Sequence, residues 1–368
     1  MKHIVRLRNR RMLLQAGLGI FLSPSFGRAA GLTGIEVLDT APIHVKRPDG
    51  VLLVAITRAG SRLVAVGEYG VIIYSDDNGT TWAQACVPVT VTLTCVAFAT
   101  PMLGWAAGHF GVILVTTDGG EHWLSQLNGI TANLLTMAAA QAATTQNSAV
   151  PGAPLALRRA NAFTQQGPAI PFLTLLVLTP KKVIVFGAYR MTMVTTDGGQ
   201  TWSDWSLHIF DPLSHNIYGS TQIGSDLYIA GEMGLVFCST DDGDSFLPVA
   251  PTSDITLFGV LGPRDGSVLV FGVAGASFRS TDRCKTWVPI TLPTQDDLTA
   301  GSVLHSGEIM FASETGTIFV SEDNGASFKV VSGVAPVPIF DVVEAPNNEL
   351  VVVGSTGVSS ISPALLNT

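Results

Sequence analysis

The chain has 368 residues, 47% of them hydrophobic and only 13% charged, with 38 glycines and a formal net charge of −8. Residues 1–30 hold six of the twenty Lys and Arg and none of the Asp and Glu, so the rest, 14 bases against 28 acids, carries about −14. An acidic chain with no basic stripe argues against nucleic acid as a partner and against lying on or inserting into an anionic lipid surface.

In chain order, the first segment is MKHIVRLRNRRMLLQAGLGIFLSPSFGRAA. A basic start, an apolar stretch and small residues up to Ala30 read as an export signal. Arg10-Arg11 ahead of Met12-Leu13-Leu14 looks like a twin-arginine signal, with an ordinary secretory signal as the alternative. Cleavage near Ala30 would leave residues 31–368 as a single periplasmic domain. No later stretch is long and apolar enough to span a bilayer.

From residue 74 on, one short pattern occurs six times: YSDDNGTTW, VTTDGGEHW, VTTDGGQTW, CSTDDGDSF, RSTDRCKTW and VSEDNGASF. Its common form is Ser/Thr-x-Asp-x-Gly-x-x-Trp/Phe. The aspartates are Asp77, Asp118, Asp197, Asp241, Asp282 and Asp323, spaced 41, 79, 44, 41 and 41 residues apart. Such a period marks a repeat architecture. Each box reads as a turn, in which the carboxylate accepts backbone N–H groups and the glycine takes a positive φ. Cys284 replaces that glycine in the fifth box. Ahead of each box lie β-branched runs such as VIIYS (71–75), RLVAVG (62–67) and VLLVAI (51–56), giving four short strands per repeat, as in a propeller blade. After the sixth box, residues 340–361 hold three more strand patterns. With EVLDTAPIHV (36–45) as the missing outer strand, the reading is an all-β, seven-bladed β-propeller: six box blades plus a closing blade joining the two ends.

One stretch breaks the period. About 38 residues are inserted between Asp118 and Asp197, roughly 129–168. NLLTMAAAQAA (133–143) has helix-forming composition and 144–154 reads as a loop. It is either a tolerated surface excursion or a docking arm contacting through Leu134, Leu135, Met137 and Arg158-Arg159. The cysteines, Cys86, Cys95, Cys238 and Cys284, lack metal-site spacing. They read as buried or turn thiols, with Cys86–Cys95 the alternative disulfide and Cys238 and Cys284 too far apart to bond.

The boxes with their preceding turns, such as VGEYGVIIYSDDNGTTW (66–82), AGHFGVILVTTDGGEHW (107–123), FGAYRMTMVTTDGGQTW (186–202) and AGEMGLVFCSTDDGDSF (230–246), resemble the Asp-box (BNR) propellers. More narrowly they resemble the photosystem II stability/assembly-factor family and its bacterial relatives. The resemblance covers residues 35–362. It implies a non-catalytic assembly, stability or docking factor. In the photosynthetic family the partner is a photosystem II reaction-centre precursor; the bacterial relatives suggest an accessory to a membrane complex such as an RND-type exporter.

A site should lie where the repeats differ. Turns between the second and third strands of each repeat fall on one face of a ring, which collects Glu68, Tyr69, His109, Phe110, Tyr189, Arg190, Glu232 and Glu314 into an expected protein-binding surface. Arg190 stands where four other repeats have glycine and is expected in an exposed turn. The alternative is an Asp-box glycosidase. A sialidase needs three arginines around a carboxylate, and only nine arginines follow residue 30. Other glycosidases need two close carboxylates, for which Glu68, Glu232 and Glu314 are the candidates. The box aspartates are assigned to their turns rather than to chemistry. The turns at Asp76-Asp77 and Asp241-Asp242 lack a full calcium-loop spacing, and His208 and His215 make no metal set. No cofactor or metal is expected.

Overall fold

The computed structural model describes residues 33–145, 150–249, 253–332 and 336–365. The export-signal reading falls on residues 1–30 and lies outside them. Residues Thr33–Thr368 form one compact unit.

That unit holds seven antiparallel sheets, spanning 53–84, 93–127, 172–204, 217–248, 257–289, 298–331 and 339–361. Six have four strands in sequence order, and the last has three. The first strand of each sheet packs on the first strand of the next, and Leu53–Ala59 of the first packs on Ile339–Glu344 of the last. Second strands such as Gly104–Gly108, Val183–Gly187 and Leu350–Gly354 are buried along their whole length. This explains why they read as unbroken apolar runs: both faces are covered by neighbouring sheets. Outer strands are short and exposed. Leu247–Pro248 and Val288–Pro289 end in proline, which removes a donor from the free edge.

The N-terminal segment does not complete the last sheet. Glu36–Asp39 is a short helix, α1. The residues after it run along the first sheet, where the Gln84 amide accepts from Val45 N–H and donates to the Ile43 carbonyl at 2.8 and 3.0 Å. Pro42 lacks an N–H, which weakens this segment as a ladder strand. The last sheet therefore keeps three strands, Ile339–Glu344, Leu350–Gly354 and Gly357–Ile361. First and last sheets are joined instead by side chains: Asp341 Oδ2 accepts the Ile56 N–H at 2.9 Å.

Burial raises the Asp341 carboxyl to about 6, against the pull of its backbone hydrogen bonds. A raised carboxyl adds stability that is complete below its unfolded value near 4 and is lost as pH rises through 6. Asp341→Asn keeps an acceptor for Ile56 and is neutral throughout. Wild type is expected to lose about 1–2 kcal/mol relative to this variant between pH 5 and pH 8, read from urea unfolding at each pH.

The insertion is more structured than its sequence suggested. Gly129–Thr145 forms α2 and Ala153–Gln166 forms α3, with a proline in the first turn of α3. Proline is tolerated there because the first N–H groups of a helix have no intrahelical partner. Ala140, Ala156 and Ala160 form the contact between the two helices.

Candidate functional site

The six boxes share one network. The first hydroxyl (Ser75, Thr116, Thr195, Ser239, Ser280, Ser321) donates to the Asp Oδ1 at 2.7–2.8 Å. It also accepts the N–H at the glycine position, Cys284 included, at 2.8–2.9 Å. Oδ1 accepts the N–H four residues on at 2.8–3.0 Å. Oδ2 takes that residue's hydroxyl at 2.6 Å in five boxes, and His122 Nδ1 in the second at 2.7 Å. Both oxygens of each box carboxylate are thus held within their own turn. Among the described residues no group of three His, Cys, Asp or Glu could hold a metal ion.

The residue before each box glycine also has positive φ: Asn78, Gly119, Gly198, Asp242, Arg283 and Asn324. Two successive positive φ values favour Asn-Gly, Asp-Gly or Gly-Gly, so Arg283-Cys284 is the strained exception. Cys284 itself has φ 63°.

The Thr81 hydroxyl holds Asp77 down to about 2, and the Thr286 hydroxyl does the same for Asp282. Burial pulls Asp197 up, but the Thr201 and Thr195 hydrogen bonds bring it to about 2. A depressed carboxyl adds stability above its unfolded value near 4 that fades as pH falls toward 2. Asp197→Ala is expected to cost about 1–2 kcal/mol at pH 7, because it leaves turn donors unpaired. The cost should shrink toward pH 2. Chemical unfolding at pH 7 and pH 3 checks both, and wild-type stability at pH 7 would refute the turn role.

The divergent turns have one geometry. Glu68-Tyr69-Gly70, His109-Phe110-Gly111, Ala188-Tyr189-Arg190, Glu232-Met233-Gly234 and Val273-Ala274-Gly275 are each a short 3-10 turn. In each, the first N–H donates to the carbonyl just before the sheet's first strand, as Glu68 does to Leu52 and His109 to Thr92. The middle residue has φ between 53° and 56°. Four of the five middle residues are large: Tyr69 (72% exposed), Phe110 (half-buried), Tyr189 (50% exposed) and Met233 (56% exposed). Such side chains are uncommon at positive φ and cost about 1–2 kcal/mol each. The sixth turn, Glu314-Thr315-Gly316, keeps the N–H contact, Glu314 to Asp297, without a positive φ at Thr315.

Several expected site residues have other employment. Glu232 accepts Asn216 N–H and Nδ2 at 2.8 Å each and the Tyr218 hydroxyl at 3.4 Å, so it braces its own sheet. Glu68 is half-buried, and Glu314 is exposed and accepts the Asp297 N–H at 3.4 Å. These carboxylates stand on the first, fourth and sixth sheets, and no hydrogen bond joins any two of them. His109 is exposed, and desolvation of its ring lowers its pKa.

Arg190 departs from expectation altogether. It is 4% exposed, and its Nη1 donates to the Ile209 carbonyl at 3.0 Å and to the Asp211 carbonyl. At the equivalent glycines a Cβ would meet the chain entering the next sheet: Val89 O at 2.0 Å from Gly70, Ser253 O at 1.6 Å from Gly234. The 44-residue spacing that follows Asp197 supplies three extra residues, and this longer segment wraps the guanidinium.

The insertion covers the same corner. Thr136 donates to Asp204 at 2.8 Å, Asn133 donates to the Phe163 and Gly167 carbonyls, and the Phe163 ring lies 6.2 Å from Tyr189. Arg159 is 8% exposed, and its Nε and Nη1 have no partner, nor has Arg190 Nε. Burial, with Arg190 adding to it, brings Arg159 down to about 10; Asp204 and Asp211 oppose this. Of the expected arm contacts, Leu134 and Arg158 are exposed, Leu135 and Met137 pack inward, and Arg159 is buried. Sequence reasoning missed Phe163, Asn133, Asn216 and Asp211. The longer spacing after Asp197 pointed to Asp211 and Asn216, and the insertion before Asp197 to Asn133 and Phe163.

Box network, sheet order and divergent turns define an all-β protein of Asp-box repeats with propeller-like neighbours. The BNR/Asp-box repeat model matches residues 193–204. The chain is similar to the Ycf48-like proteins: it is 30% identical over 112 residues to the photosystem II assembly lipoprotein Ycf48 of Synechococcus sp. (strain CC9902). That stretch is 29% of this chain and 33% of the relative, so about a third of the relative's length is matched. Among solved structures, YCF48 bound to D1 peptide has TM-score 0.62 at 14% identity, covering 88% of this chain and 99% of that one. The WD40 β-propeller domain of Doa1 has TM-score 0.59 at 13% identity, covering 90% and 98%. The GH74 enzyme of Niastella koreensis has TM-score 0.59 at 13% identity, covering 84% and 52%. At these identities the structural likeness concerns the fold.

Proposed function

We propose that this chain is a seven-bladed, non-catalytic propeller that docks on a membrane protein complex or its precursor and serves its assembly or stability. One observation carries the reading: Tyr69, Phe110, Tyr189 and Met233 occupy the same strained position on four sheets, and three of them are largely exposed. Strain kept at repeated, sequence-divergent turns is a mark of a functional surface, and exposed aromatic and Met side chains suit protein contact. The solved YCF48 is bound to D1 peptide, which supports a peptide segment as the kind of partner this face takes. An RND-type exporter is the other membrane complex within this reading. The basic start, apolar stretch and small side chains of residues 1–30 support export of the mature chain to the periplasm as part of this proposal.

The enzymatic reading draws on the fold shared with the GH74 enzyme. It is weakened by the separate placement of Glu68, Glu232 and Glu314 and by the tying of Glu232 to Asn216.

The test is crosslinked co-purification of the chain from solubilised native membranes, with β-glucan and sialyl hydrolysis assayed in parallel. A stoichiometric membrane-protein partner is expected, with no turnover. Hydrolysis that Glu68→Gln or Glu232→Gln abolishes would overturn the proposal, as would the absence of any membrane-protein partner.

A further inference from the structure

Cys284 is the only non-glycine among the six equivalent box positions. At four of the other five boxes a Cβ points at the preceding sheet's second strand, at Val351 from Gly79, Val64 from Gly120, Ile184 from Gly243 and Leu269 from Gly325, while at Gly199 it meets Gln126 on the outer strand of the preceding sheet. The residue of the fourth sheet in that register is Tyr228, which lies directly across from Cys238. Directly opposed residues of an antiparallel pair share one face of the sheet with their side chains adjacent. Tyr228 and Cys284 accordingly sit in one core cluster, with Cys238 packed against it.

The two cysteines, expected too far apart to bond, are both free thiols that belong to one hydrophobic neighbourhood. Their boxes are on successive sheets, and each box leans onto the sheet before it. A second contact fixes the approach. Arg283, next to Cys284, forms an ion pair with Asp226 of the fourth sheet, and Asp226 also accepts the Tyr228 hydroxyl at 3.4 Å. Arg283 and Cys284 are also the pair held at positive φ against their residue types.

We propose that Cys238 and Cys284 are a cross-link site, at which a disulfide staples the fifth sheet to the fourth when the folded chain meets an oxidising thiol–disulfide couple. Cys238 is half-exposed and Cys284 buried, which sets the order of steps. The Cys238 thiolate attacks one sulfur of an external disulfide such as glutathione disulfide. That S–S bond breaks, and one glutathione leaves as its thiolate. The Cys284 thiolate then attacks the Cys238 sulfur, the mixed disulfide breaks, and the second glutathione leaves. One protein disulfide is formed, one glutathione disulfide is reduced to two thiols, and the two cysteine protons end on the two leaving thiolates. Burial raises both thiols, that of Cys284 to about 12, and the mixed disulfide on the more exposed Cys238 is the precursor that the buried Cys284 must attack.

The experiment uses the chain with Cys86→Ser and Cys95→Ser, treated with glutathione disulfide and read by intact mass, non-reducing peptide mapping and thermal melting. The expected product is lighter than the reduced chain by about 2 mass units, for two hydrogens. It should yield one peptide pair joined through residues 238 and 284, and its melting midpoint should rise. Adding Cys284→Gly, which restores the residue of the other boxes, should stop the reaction at a Cys238–glutathione adduct. Adding Cys238→Ser should leave Cys284 unmodified. If the parent chain itself stops at the adduct, or keeps both thiols free, the cross-link site is refuted.

Discussion

Arg190→Glu is expected to destabilise the fold by about 3–5 kcal/mol, the range for breaking a buried charge network by removing one partner. Wild-type Arg190 places its Nη1 on the Ile209 and Asp211 carbonyls. A glutamate has no donor to replace it at pH 7, so both carbonyls lose their contact. It also adds a negative charge to a corner that already holds Asp211, 3% exposed, and Asp204. Arg159 would gain an anionic neighbour, but its own burial limits the repayment. Arg190→Lys keeps the charge with one compact donor group and should cost clearly less. Urea unfolding of the three proteins checks the order. A natural stability is about 5–15 kcal/mol in total, so the glutamate variant should be visibly shifted. A near-wild-type midpoint would mean that Arg190 is an exposed turn residue after all, as the sequence alone suggested.

Tyr69→Gly and Tyr189→Gly should act in the opposite sense on the fold and strongly on the proposed partner. Both residues sit at positive φ, where glycine pays no steric penalty. Each replacement should leave stability unchanged or raise it by about 1 kcal/mol, the relief being set against the entropy of a glycine in the unfolded chain. Tyr189 also gives up its contact with Phe163, so its gain should be the smaller. If these side chains anchor a partner, binding should fall by about 10- to 1,000-fold, the range of central interface residues. Melting curves and co-purification of the membrane partner report the two effects separately. A stable variant with undiminished binding would remove this face from the proposal. An unstable one would show that the tyrosines serve the fold.

The repeat was legible in the chain because each box is local. Hydroxyl, carboxylate, glycine and aromatic lie within eight residues, so a turn that closes on itself repeats as a readable string. Even there, the partners of the second carboxylate oxygen went unread: Thr81, Thr201 and their equivalents vary enough to look incidental, and His122 replaces the hydroxyl once. The fully buried second strands were equally clear, because a strand covered on both faces has no polar side to show.

What only the tertiary structure decided involves residues far apart in sequence. Arg190 looks like a surface anchor until the segment 205–216 and the helices of the insertion close over it. Glu232 looks like a free acid until Asn216 reaches it. Cys238 and Cys284 look unrelated until the fifth box leans onto the fourth sheet. Residues 36–45 looked like a closing strand because strand patterning does not say which edge a strand will meet, and here Gln84 takes their hydrogen bonds first. The amino-acid sequence by itself determined the repeated sheet and its turns, since those energies are local. Which divergent residues are buried and which face outward depended on how neighbouring sheets, linkers and the insertion pack together, and that packing is set by contacts no short stretch of chain contains.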